Sequence, residues 1–345
     1  MNKWIVMGLL LLATGLQPLM ASDLLRVLAW PGYADPDAVK QFEKQMGVRV
    51  EVTQVDSDDV LWNLVSDSKA PAFDVFAVNT AELSRYIAAG LVSPIDREQI
   101  PNSRLQLPRF RDVNTAVPGV VKNKLIYGMP YTYADMGLIY DKKTFQVPPT
   151  SISVLWDPQF SGRVLAYDGG VHNFSLAALK NGSHNPFKIE ERDWASLVAD
   201  LIALRRNVLG FYAQPDEALK LYRDHNAVLL FANYGSQQLQ TFKASGLDVG
   251  YIVPKEGALA WMDCWAIVAK SSHKKLAEAW INYMLDPMVS NYLVIRQGLS
   301  STLTDNAEHS NDILFWLQPP EDVNKRMLLW KSIISGDQLE KVLSR

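Results

Sequence analysis

The chain has 345 residues, a formal net charge of −3 and one cysteine, with 48% hydrophobic and 21% charged residues. A single thiol excludes an internal disulfide framework, and a slightly acidic chain without a basic stripe argues against a nucleic-acid partner. The length exceeds what one hydrophobic core usually serves, so two lobes are expected.

Residues 1–22 read as an export signal. Lys3 supplies a short positive start, 5–19 is almost wholly apolar, and Met20-Ala21-Ser22 offers a small-residue exit, with cleavage expected after Ala21 or Ser22. A retained membrane anchor is the alternative, although the apolar run is short for a spanning helix. The mature chain is expected to be soluble after export.

Beyond the signal, strand and helix patterns alternate. Residues 24–29 read as a short apolar strand closed by a turn at Pro31-Gly32, and 37–46 as a helix with Ala38, Val39 and Phe42 on one face and Gly47 as its stop. Residues 48–55 alternate as a strand does. A helix follows over 57–67, with Asp56 as candidate cap and Asp58 and Asp59 suiting the helix dipole. Residues 73–78 form a buried strand and 81–89 a helix stopped by Gly90. This βαβαβ order implies a mostly parallel sheet flanked by helices.

The middle of the chain repeats such units. Strands are expected over 163–167 and 227–232, helices over 174–179 and 236–244, and a strand pair over 247–253 and 261–269 about the turn Lys255-Glu256-Gly257. Helices close the pattern over 272–283 and from Pro287 to about residue 297. With no linker visible, the lobes should be joined by several crossings around a cleft, where ligands of open α/β sheets collect. The division expected is lobe 1 over 23–130 plus 258–303 and lobe 2 over 131–257 plus 304–345.

Signals for catalysis and metal binding are mostly absent. The five histidines (172, 184, 225, 273 and 309) show no ligand spacing, and no nucleophile elbow, phosphate loop or dinucleotide fingerprint occurs. Cys264 lies in an apolar run and reads as a small buried hydrophobe. A non-enzymatic chain without cofactor or metal is expected; the enzyme alternative is an exported hydrolase with paired carboxylates in the cleft.

The most informative stretch is Pro254-Lys255-Glu256-Gly257-Ala258-Leu259-Ala260-Trp261-Met262-Asp263. On a strand, Trp261 and Asp263 share a face, and an indole beside a carboxylate can hold an organic cation. The same pair also reads as a core tryptophan with a solvent-facing aspartate in a hairpin.

That stretch, with Trp30-Pro31-Gly32-Tyr33, Phe73-Asp74-Val75-Phe76-Ala77-Val78, Met129-Pro130-Tyr131 and Asn233-Tyr234-Gly235-Ser236, resembles the periplasmic spermidine/putrescine-binding proteins over residues from about 24 to about 300. The resemblance implies a two-lobed α/β periplasmic binding fold, each lobe a mostly parallel sheet flanked by helices, that closes over a linear polyamine. Trp30, Tyr33 and Trp261 would be aromatic walls and Asp263 the anion for an ammonium group.

Departures from the family pattern fall at Asn79 (a Ser position), Ala81 (Tyr), His172 (Glu), Asn233 (Trp) and Leu299 (Tyr). Asp168, Asp135 or Glu82 are the candidates to restore the missing charge. A protonated His172 would repel an ammonium and a neutral one would accept from it; equally, it is a solvent-touching residue at a helix start. The chain is most similar to the norspermidine-sensor branch, whose loaded protein engages the periplasmic part of a cyclic-di-GMP enzyme and promotes biofilm formation. The alternatives are delivery to the permease of an ABC-type polyamine importer, or the same fold with another small ligand.

Overall fold

The computed structural model describes residues 23–67, 73–112, 117–304 and 313–345; the expected export signal over 1–22 lies outside the described residues. Three strands open the chain, β1 (Leu24–Ala29), β2 (Arg49–Gln54) and β3 (Val75–Asn79), alternating with α1 (Pro36–Met46), α2 (Asp58–Ser66) and α3 (Thr80–Ala88). They pair in parallel in the order β2-β1-β3. Local chemistry sets these boundaries. Asp35 accepts from the Asp37 amide at 2.9 Å to start α1, Pro36 sits in its first turn, and Gly47 ends it at φ 67°, where a side chain would be strained. Ser57, not Asp56, caps α2: its hydroxyl accepts from the Val60 amide.

After β4 (Val92–Ser93), the short α4 (Pro108–Arg111) and the hairpin of β5 (Val121–Lys122) and β6 (Leu125–Ile126), the long strand β7 (Met129–Met136) leads out of the first lobe. The second lobe holds β8 (Leu138–Asp141), β9 (Val164–Tyr167), β10 (Val208–Tyr212), β11 (Leu229–Phe231) and β12 (Val249–Ile252), in the order β10-β9-β11-β8-β12. Its helices are α5 (Gly170–Lys180), α6 (Trp194–Asn207), α7 (Pro215–Asp224) and α8 (Gly235–Ala244). The chain then returns through β13 (Ala258–Val268), α9 (Lys274–Met284), α10 (Pro287–Gln297), β14 (Ser300–Ser301) and β15 (Leu314–Trp316), and ends in α11 (Val323–Ile334) and α12 (Leu339–Leu343).

The hairpin expected around Lys255-Glu256-Gly257 is not formed. β12 pairs antiparallel with β8 in the second sheet, whereas β13 enters the first sheet between β3 and β7, antiparallel to both. The turn signal is real, but it marks a crossing between lobes. Glu256 accepts from the Ser151 hydroxyl at 2.5 Å and the Ile152 amide at 3.1 Å, and the Ala258 amide donates to the Ile313 carbonyl. The two flanks are thereby drawn to different sheets. Both sheets are consequently mixed, with the expected parallel pairing confined to β2-β1-β3, β10-β9-β11 and the β13–β15 contact. β15 joins the first sheet, so the stretch 304–345 does not belong wholly to the second lobe.

Among the described residues, three crossings connect the lobes. The first passes through Gly137, where a Cβ would fall 2.4 Å from the Ile252 carbonyl on the second crossing. The Gly137 amide donates to the Tyr251 hydroxyl at 2.8 Å, and that hydroxyl donates to the Asp135 carboxylate, so the two crossings are bonded where they touch. The third runs from β15 to α11; the Leu317 amide donates to the Ala260 carbonyl at 2.8 Å before the chain leaves the first sheet. Its far end is fixed by Arg326, which is fully buried. This guanidinium donates to Glu321 at 2.7 and 3.0 Å, to Ser175 Oγ at 2.7 Å and to the Val171 carbonyl at 3.0 Å.

A buried ion pair broken on one side leaves an uncompensated charge. Arg326→Ala should therefore lower the unfolding free energy by about 3–5 kcal/mol, read by urea denaturation. A midpoint unchanged from the wild type would show that α11 is held by its apolar face alone.

Candidate functional site

A cleft of about 900 Å³ opens between the two sheets. Trp30, Tyr33, Asn79, Trp261 and Asp263 line it from the first lobe, and His172 and Asn233 from the second. These positions come from strand and helix ends. Trp30 and Tyr33 follow β1 in a turn closed by the Tyr33 amide on the Trp30 carbonyl, Asn79 ends β3, and Asn233 precedes α8. Trp261 and Asp263 lie two residues apart on β13 and share the cleft face.

Asp263 is the centre of the arrangement. It is 6% exposed and has no basic partner among the described residues. Its carboxylate accepts from the Tyr33 hydroxyl at 2.6 Å and from Asn79 Nδ2 at 3.0 Å. Burial, reinforced by the charge of Asp58, pushes its carboxyl up to about 6 against the pull of those two donors. Asp263 therefore does not face solvent, as the hairpin reading had it. Tyr33 is in turn fixed by an edge-on contact with Tyr131, whose hydroxyl donates to the Tyr33 carbonyl.

Trp261 is half-buried and packs against the apolar cores of both lobes, and its Nε1 donates to the Asn233 carbonyl at 3.2 Å. One indole thus bridges the cleft. Asn233 contributes its backbone to this contact, while its amide hydrogen donates to the Tyr212 hydroxyl at 3.0 Å.

Asp168 does not join the cleft lining: it is exposed, and its carboxylate accepts from Trp330 Nε1 at 2.8 Å, which turns it toward α11. Asp135 is likewise engaged by Tyr251 at the crossing. Glu82 does line the cleft and pairs with Arg85 at 3.5 Å. His172 lines the cleft within the first turn of α5, against the Tyr167 ring. Burial, then the positive charge of Arg326, lower its imidazole to about 4, so it is neutral at mildly acidic pH and does not act as the repelling cation considered from sequence.

Sequence reasoning missed part of the lining. Asp56 and Asp58 follow the carboxyl end of β2, a position the general rule for ligand sites in open sheets points to. Asp58 is solvent-touching yet crowded, and this desolvation, together with Glu82, pushes its carboxyl up to about 6 although Arg85 pulls the other way. Tyr234, Gln237 and Gln318 also face the cleft; nothing in the local pattern announces them. Ala81 and Leu299, read as lost aromatic positions, are in the lining too.

Known proteins agree with this architecture. A family model for bacterial extracellular solute-binding proteins matches residues 37–314. Spermidine/putrescine-binding periplasmic protein 1 of Haemophilus influenzae is 24% identical over 280 residues, covering 81% of this chain and 75% of the relative. A putrescine-binding periplasmic protein of Escherichia coli is 24% identical over 340 residues, covering 93% of this chain and 89% of the relative. Among solved structures, the substrate-binding protein of a spermidine/putrescine ABC transporter from Streptococcus pneumoniae superposes with a TM-score of 0.77 at 19% identity, covering 93% and 99% of the two chains.

Asp263 binds a proton more tightly folded than unfolded, so its contribution lowers stability as pH rises from about 4 through about 6. The thermal midpoint of ligand-free protein should accordingly fall less from pH 5 to pH 7 in Asp263→Asn than in the wild type, compared by scanning calorimetry. Parallel pH profiles for the two proteins would mean that Asp263 is not desolvated.

Proposed function

Because the chain belongs to the bacterial extracellular solute-binding proteins, we propose that it binds a linear polyamine in this cleft, in the periplasm, and does no chemistry on it. One observation carries the reading. The described lining contains the carboxylates Asp56, Asp58, Glu82, Asp216 and Asp263 and neither Lys nor Arg. A cleft so charged attracts a cation and disfavours an anion. The relatives named for spermidine and putrescine support the same ligand class.

Each residue then has a role. Asp263 takes an ammonium, with Tyr33 and Asn79 holding the carboxylate in place at hydrogen-bond distance. Trp261, Trp30 and Tyr33 lie along the methylenes, where an aromatic face serves both the apolar spacer and its adjacent charge. Asn233 holds Trp261 through its carbonyl.

Delivery to an ABC permease is the reading that the named relatives favour for the loaded protein. A second reading, a norspermidine-class sensor docking on the periplasmic part of a membrane receptor for cyclic-di-GMP signalling, is favoured by the thinned lining. Ala81, Asn233 and Leu299 occupy cleft positions where the polyamine importers resembled by this chain carry aromatics. Polyamine uptake lost on deleting the gene supports the importer; unchanged uptake with altered biofilm formation supports the sensor.

Trp261→Ala or Asp263→Ala should weaken polyamine binding by about 2–5 kcal/mol in calorimetry while the fold persists. Undiminished affinity in both would remove the site. An ammonium needs the carboxylate form, so affinity should be full above pH 7 and fall as pH drops through about 6, where Asp263 and Asp58 take up protons. His172→Gln should leave that profile unchanged, since the imidazole titrates near 4. A flattened profile in His172→Gln would return the pH response to the imidazole.

A further inference from the structure

The cleft is electrically lopsided. On the first lobe, Asp263, Asp58, Asp56 and Glu82 line one wall, and Asp263 is the buried carboxylate of the lining. Across from them, the second lobe and the third crossing present His172, Gln214, Asn233, Gln237, Thr241 and Gln318, with Asp216 as the one acid among the described residues of that wall. Asp216 is exposed in the first turn of α7, where the helix dipole already faces its charge. Asp168, the nearby carboxylate that would even the walls, is bonded away to Trp330. Arg326 lies behind the same wall with its charge matched by Glu321.

The neutral wall is also chemically open. The side-chain amides of Gln214, Gln237 and Gln318 have no protein hydrogen-bond partner among the described residues, and neither ring nitrogen of His172 has one. Each amide offers both donor and acceptor, so the wall suits a neutral polar group such as an amide. An ammonium held against the half-buried His172 and Gln237 would lose water without a matching charge, whereas an acyl amide would find donors and acceptors there.

We propose that the cleft selects an asymmetric amine, with its ammonium end on the Asp263–Asp58–Glu82 wall and an uncharged amide end against His172, Gln237 and Gln318, as in a mono-N-acylated diamine. This rests on the reading of the cleft as a polyamine site and narrows it to ligands charged at one end.

Calorimetric titration at pH 7.5 with putrescine, spermidine and N-acetylputrescine tests it on the full mature protein. N-acetylputrescine should bind at least tenfold tighter than putrescine. His172→Glu, which places a carboxylate on the neutral wall, should reverse that order, and Gln237→Glu serves as a second variant should the first fail to fold. Putrescine or spermidine binding tighter than the acetylated amine in the wild type would overturn the proposal while leaving the polyamine reading intact. Binding of none of the three would overturn both.

Discussion

The backbone ladder of β13 is the constraint on which the rest of the molecule depends. This eleven-residue strand sits between β3 and β7 and also pairs with β4 and β15. Ten of its residues are buried, Trp261 being half-exposed to the cleft. Burying so many amides and carbonyls is tolerable only because neighbours on both edges satisfy them. The same pairing fixes the register of Asp263 opposite Asn79 on one side and Thr132 on the other. The ladder that completes the core thus also sets the cleft.

Placing a carboxylate on that strand has an energetic consequence. Asp263 is nearly buried, no basic side chain among the described residues pairs with it, and two neutral donors only partly offset the loss of water. Burial therefore disfavours the charged form of Asp263. On the proposed reading, an incoming ammonium would relieve that cost. Tyr33 and Asn79 hold the carboxylate steady without cancelling it, which a lysine or arginine would do.

The sequence carried the local signals well and the distant ones poorly. The strands and helices from β1 to α3 were legible because apolar spacing, caps and glycine stops lie within a few residues of each other. β7 was not, since Pro130 interrupts its pattern; the ladder accommodates it by a register shift between Asp263 and Cys264, with Tyr131 as the extra residue. α6 was missed because its exposed face carries Ala195, Ala199 and Ala203, which blur the contrast with the buried stripe of Trp194, Leu197, Val198, Leu201 and Ile202. In the site, Trp261 and Asp263 were legible from their spacing. The fate of Asp168 depended on a tryptophan 162 positions away, and that of the 254–257 turn on Ser151 and Ile152. Such partner choices are made in three dimensions.

The position of β13 in the chain also governs the order in which the molecule can assemble. β3 and β7 are joined into one sheet by β13, a strand that lies more than a hundred residues beyond β7. Until it arrives, the first lobe consists of a parallel trio and an unattached strand, both with open edges. Closing such long loops costs entropy before any contact rewards it, so topologies rich in distant pairings fold slowly. Synthesis alone cannot finish either the first core or the cleft before residue 268 is available. The chain therefore remains without its central ladder for most of its emergence, a state compatible with threading through a narrow channel.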